Sequence, residues 1–125
     1  MKKIALLAFL VLGIISFGCE KDEYYIQYTA SVQTIYSGGT VRVTISDESN
    51  SEKTYSPSSN SWNIVIGPVD KGFNASLSVS SSYTRITALK GNIQVCKNEG
   101  PFALKASGES DDPSEPVKLD YTIDF

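Results

Sequence analysis

The residues able to do chemistry in this chain are few. Its two cysteines are Cys19 and Cys96, and it contains no histidine. Without imidazole the commonest general base and the commonest zinc ligand are missing, so a Ser-His-Asp or Cys-His centre cannot be assembled within this chain. Serine is abundant, yet no Gly-x-Ser-x-Gly or Ser-x-x-Lys run occurs. Glu109, Asp111, Asp112 and Glu115 fall in one polar stretch, 107–116. Carboxylates are good calcium ligands, but the Asp-x-Asp-x-Asp-Gly spacing that wraps a loop around the ion is absent. The stretch reads as a solvated loop, and no metal site is expected. Tyr24, Tyr25, Tyr28, Tyr36, Tyr55 and Tyr83 could form an aromatic platform for a sugar or a protein. Most of them sit at alternating positions that core packing explains. Tyr25, opposite the apolar phase of its segment, is the exposed candidate. Cys96 would need a neighbouring cation or a helix end to become reactive. Adjacent Lys97 should point to the other sheet face, so a quiet, packed thiol is expected. These residues predict no enzyme.

Cys19 offers different chemistry. The chain opens Met1-Lys2-Lys3, continues with an apolar run over 4–15, and reaches Ser16-Phe17-Gly18-Cys19. A basic start, a short apolar stretch and small residues before a cut site define a secretory signal. Twelve helical residues span about 18 Å, short of the roughly 30 Å of bilayer hydrocarbon. Gly18 suits cleavage before Cys19, whose thiol would then carry a diacylglyceryl group and whose new amine would carry an acyl chain. Two or three chains, at about 0.8 kcal/mol per buried CH₂, hold a domain firmly at a membrane. No other cofactor is expected.

Ser16 and Phe17, in place of the more usual residues before the cut, resemble the looser lipobox of Bacteroidota-type lipoproteins. The following Glu20-Lys21-Asp22-Glu23 resembles the surface-export signal of the same group, carried here by Lys21, Asp22 and Glu23. That resemblance implies an outer-membrane lipoprotein facing the cell exterior.

Charge fits this picture. Of 11 basic and 14 acidic residues, Lys2 and Lys3 belong to the signal, which leaves nine against fourteen, or −5. A nucleic-acid partner needs the opposite sign. Anionic headgroups would also repel such a surface, so grease must supply the attachment.

The elements that must position these residues are strands. Removing residues 1–18 from the 125 leaves 107, room for one domain. Tyr24, Ile26, Tyr28, Ala30 and Val32 alternate with polar neighbours, as do Val41, Val43 and Ile45. Ser37-Gly38-Gly39 between them reads as a hairpin turn. Residues 47–61 read as a loop with a short edge strand near 53–56. Trp62, Ile64 and Ile66 form a strand stopped at Gly67-Pro68, and Asp70-Lys71-Gly72 turns the chain into Phe73, Ala75, Leu77 and Val79. Strands over 83–89 and 92–97 follow, broken at Lys90-Gly91, with a bulge or corner at Ala88-Leu89. Asn98-Glu99-Gly100-Pro101 turns into an inward row of Phe102, Leu104 and Ala106, and Val117, Leu119, Tyr121, Ile123 and Phe125 close the chain. Alternating residues up to a terminal Phe also resemble the closing strand of outer-membrane barrels, but 107 residues are too few for eight membrane-length strands plus loops.

The order of a Tyr-rich strand, a Trp strand, a Phe/Ala/Leu/Val strand, a strand with a late Cys and a Gly-Pro-Phe turn resembles immunoglobulin-like accessory domains of membrane proteins, without their paired cysteine. The expected organisation is a helical signal peptide over 1–18, a lipidated Cys and charged tether over 19–23, and an all-β antiparallel immunoglobulin-like β-sandwich of about seven or eight strands over 24–125. The expected function is a lipid-anchored, non-enzymatic binding or structural lipoprotein with a protein or glycan partner. A periplasm-facing accessory subunit of an envelope transport system is the alternative, and a small hydrolase or inhibitor the remote one.

Overall fold

The computed structural model describes residues 21–34, 39–83, 86 and 88–125. The expected signal segment with Gly18 and Cys19, and Tyr36, Ser37 and Gly38, lie outside the described residues. Those described contain eight strands and no helix. They are β1 (Tyr24–Gln33), β2 (Val41–Ser46), β3 (Glu52–Tyr55), β4 (Ser61–Val69), β5 (Asn74–Ser81), β6 (Ala88–Lys97), β7 (Ala103–Ser110) and β8 (Val117–Thr122).

The strands form two antiparallel four-stranded sheets, ordered β4-β1-β6-β7 and β3-β2-β5-β8, packed face to face as a β-sandwich. Alternation builds it. Along β1, Tyr24, Ile26, Tyr28, Ala30 and Val32 are buried while their neighbours are half-buried or exposed. Ile93 and Val95 of β6 join them from the same sheet, and Val41, Val43 and Ile45 of β2 with Ala75, Leu77 and Val79 of β5 answer from the other. Burying one Ile or Leu of this kind contributes about 1.5–3 kcal/mol.

One polar group enters the core fully served. The Tyr28 hydroxyl, on a fully buried ring, donates to the Ser46 carbonyl at 2.9 Å and lies 3.0 Å from Ser46 Oγ. That oxygen accepts from the Ser76 amide at 3.0 Å and donates to the Asn74 carbonyl at 3.2 Å. The β2–β5 ladder ends at Ile45–Leu77, so the serine side chain continues its hydrogen bonding past the last backbone pair.

Several local expectations need correction. The Ser37-Gly38-Gly39 signal does not join a hairpin, because β1 and β2 belong to different sheets. Only β2–β3 and β6–β7 are consecutive partners among the described strands. Lys90-Gly91 does not break a strand. β6 runs unbroken from Ala88 to Lys97, with no register shift against β1 at Ala88-Leu89. Gly91 faces inward, where an added Cβ would lie 3.0 Å from Leu77 Cδ2 and 3.3 Å from Val79 Cγ2. Its cross-strand partner is Gly108, whose Cβ would lie 3.0 Å from Val117 Cγ1. The two glycines let the second sheet close down at this point; they are contact residues, not punctuation.

The bulge falls elsewhere. Ile93 pairs with Ala106, but Gln94 pairs with Leu104, so Lys105 is the extra residue in β7. The extra residue flips the phase. Ala106 shares a face with inward Ile93, while Leu104 joins Gln94 outside and is 56 % exposed. Phe102 is likewise exposed, at 38 %, so the expected inward row keeps only its last member.

Strand β4 also outruns its expected stop and continues through Gly67-Pro68 to Val69, with a register shift opposite Tyr24 and Ile26. Gly67 has φ 134°, and a Cβ there would sit 2.7 Å from the Tyr25 ring and 2.8 Å from the Tyr24 carbonyl oxygen. Only glycine fits that bend. The Gly67 amide donates to Glu48 Oε2 at 3.1 Å, a contact to this edge strand from the loop joining β2 and β3.

Candidate functional site

Antiparallel register sorts the connections between two ends of the sandwich. One end carries the 21–23 tether, the 47–51 loop, the 70–73 and 98–102 turns and the last residues of the chain. The 56–60 and 111–116 loops lie at the other.

Asp22 and Glu23, expected to belong to a charged tether, are tied to the domain. Asn98 takes φ 57°, a conformation that Asn tolerates better than most residues, and its side chain is free to reach back. Its Oδ1 accepts from the Glu23 amide at 2.9 Å, and its backbone amide donates to the Glu23 carbonyl at 2.6 Å. Asn98 Nδ2 donates to Asp22 Oδ1 at 3.0 Å, and Lys97 Nζ lies 3.5 Å from Asp22 Oδ2. The Asn98 bond and the lysine charge hold the Asp22 carboxyl below its ordinary value. Lys21 Nζ is 3.9 Å from Asp70 Oδ2, an exposed contact that contributes little alone.

The outer face of the β4-β1-β6-β7 sheet carries groups suited to recognition. Register lays three rows across it: Val65, Gln27, Gln94 and Leu104; then Asn63, Thr29, Asn92 and Ser107; then Ser61, Ser31, Lys90 and Glu109. Val65 and Leu104, 49 % and 56 % exposed, stand on the two opposite edge strands of this face with Gln27 and Gln94 between them, and exposed Phe102 lies two residues before Leu104. Next to this row lies a shallow depression of about 220 Å³ lined by Thr29, Ser31, Ser61, Asn63, Lys90 and Asn92, among others. Thr29 Oγ1 is covered there and makes no hydrogen bond. Amides, hydroxyls and an ammonium, with single apolar side chains at the two edges of the face, suit a polar ligand. Sequence alternation marks the outward residues, but it does not reveal which four strands share the face.

The remaining candidates are structural. Cys96 is free and buried, and its thiol is within reach of the Asn98 and Gly100 carbonyls, at 3.2 and 3.1 Å. Lys97 does turn away from it, toward Asp22 and the Phe125 ring. In the acidic loop, the Asp112 carboxylate accepts from the Ser114 amide at 2.9 Å and the Ser114 hydroxyl at 2.8 Å, which keeps its pKa low. The four acids do not converge, and no group of three or more metal-ligating side chains gathers among the described residues. Tyr24 and Tyr28 are core residues; Tyr55 packs on Trp62 at 5.2 Å; Tyr25 is half-buried on the outer face beside Gly67. Sequence reasoning missed the Asn98 clasp, since Asn98 and Glu23 are 75 positions apart. It also missed Asp47, whose carboxylate accepts from the Ser49 and Ser51 amides and the Ser49 hydroxyl and is held below its ordinary value chiefly by the Ser51 bond. No family model matches this chain, and no curated protein matches it.

Proposed function

We propose that this chain is a lipid-anchored, non-enzymatic lipoprotein of the outer membrane that faces the cell exterior and uses the outer face of the β4-β1-β6-β7 sheet to bind a protein or glycan. The anchoring half rests on the run from Met1 to Cys19 and the Lys21-Asp22-Glu23 segment after it. The binding half rests on one observation: the exposed large apolar side chains Val65 and Leu104 stand at the two edges of the face that holds the polar depression around Thr29 and Asn92.

Cys19→Ala tests the first half. The variant should lose lipid mass and leave the membrane fraction; a variant that stays bound and unprocessed overturns the reading. Protease shaving of intact cells tests the orientation. Rapid digestion supports display outside, and full protection points instead to a periplasm-facing accessory subunit. The second half is tested by affinity capture from whole cells with the wild-type chain and a Val65→Glu, Leu104→Glu variant as baits. Partners captured equally by both exclude this face.

A further inference from the structure

The folded unit begins before β1. Asp22 and Glu23 run beside Lys97 and Asn98, joined by three hydrogen bonds and an ion pair. Cys19 stands three positions before Asp22, and three trans-peptide steps of about 3.8 Å reach at most about 11 Å. A sulfur carrying fatty chains sits at the edge of the hydrocarbon. The clasped residues are thereby confined to a shell about as thick as the headgroup layer and its first waters. An unclasped chain would be free to pivot from Tyr24, with about 19 Å of reach over its five steps.

We infer that the Asn98 clasp stands the sandwich on a lipid surface by one defined end, the end bearing the 70–72 and 98–100 turns, so that the 111–116 loop points away from the bilayer. The inference rests on the lipid-anchor reading of Cys19. Charge does not set this orientation. Lys21, Lys71 and Lys97 near the contact are matched by Asp22, Glu23, Asp70 and Glu99, a mixture with no strong attraction for either neutral or anionic headgroups. The direction comes from hydrogen bonds at Asn98, where a tether without them would let the domain tumble. The outer sheet face then stands roughly upright on the membrane, reachable from the side.

The test uses the full-length lipidated protein on vesicles of phosphatidylethanolamine and phosphatidylglycerol carrying a spin-labelled headgroup quencher. Fluorophores are placed at Lys71→Cys and at Glu115→Cys in a Cys96→Ser background. A strand of ten residues spans about 33 Å, so quenching should be several-fold stronger at position 71 than at 115. Asn98→Gly keeps the positive φ accessible and removes the clasping side chain; it should erase most of that difference. Hydrogen exchange needs no cysteine change. The Glu23 amide should exchange about tenfold faster in Asn98→Gly, the equivalent of about 1.4 kcal/mol for a lost hydrogen bond. Equal quenching at both positions in a chain that floats with the vesicles, or a Glu23 amide indifferent to Asn98→Gly, overturns the clasp and leaves the anchor standing. A chain that fails to float, with an unmodified Cys19 by mass, overturns the anchor and this inference with it.

Discussion

Tyr28→Phe removes one oxygen from the interior and leaves the ring in place. The lost hydroxyl is 2.9 Å from the Ser46 carbonyl and 3.0 Å from Ser46 Oγ, in a site without solvent. Phenylalanine leaves those acceptors short of one donor, at a cost of about 1–2 kcal/mol at neutral pH. A domain of this size loses about 4–8 °C of Tm for each kcal/mol. The pH dependence gives a sharper check. Burial first, and then the charges of Asp47 and Glu48, hold the Tyr28 phenol above its ordinary value of 10.0, against the opposing hydrogen bonds to Ser46 and Ser76. The unfolded phenol ionises near 10 while the folded one resists. Its contribution is therefore fully present below pH 10 and is lost as pH rises through the raised folded value. The variant has no phenol at this position to ionise, so the stability gap between the two proteins should narrow above pH 10. Tyr121, raised by burial and by its bond to Asp124, is common to both and cancels in the difference. Denaturant unfolding of the two proteins at neutral pH and at about pH 11 reads the gap directly. A gap that stays constant, or a variant as stable as wild type at neutral pH, refutes the account of this network.

Gly91→Ala should cost about 1–3 kcal/mol by chemical unfolding, because the new methyl meets fully buried Leu77 and Val79 that have nowhere to retreat; a stabilised variant would show that the sheets are less tightly closed there. Leu104→Glu should change stability by no more than about 0.5 kcal/mol, whereas Ile93→Ala should cost about 2–5 kcal/mol. Equal losses would place Leu104 in the core after all. Asp47 is held below its ordinary value of 3.8, so its contribution is present above that pH and disappears as pH falls through the lower folded value. Asp47→Ala should be destabilised at neutral pH and show a shallower acid limb than wild type in unfolding midpoints measured across that range.

The strands with a simple alternation were legible because period two is a property of neighbouring residues. β1, β2 and β5 read directly, down to which side chains are buried. The short edge strand near 53–56 also read correctly, as Glu52–Tyr55. What the chain hides is long-range. Gly91 resembles a turn residue until Leu77 arrives from the other sheet to occupy the space. Leu104 resembles a core residue until Lys105 is left over in the pairing with β6. Asn98 resembles an ordinary turn asparagine, and only the closed fold brings Glu23 to it. The outer-face depression draws on β1, β4 and β6 together, and sheet order is not written in any one of them.

The bend at Gly67 bears on how copies of this protein tolerate one another. β4 is nine residues long and lies on a margin of its sheet, a place where foreign backbone could dock and extend the ladder. Pro68 has no amide hydrogen to offer, and the Gly67 amide is already engaged by the Glu48 carboxylate. That stretch is therefore a poor template. Two copies meeting edge to edge along this strand find no unbroken ladder to extend across residues 67 and 68.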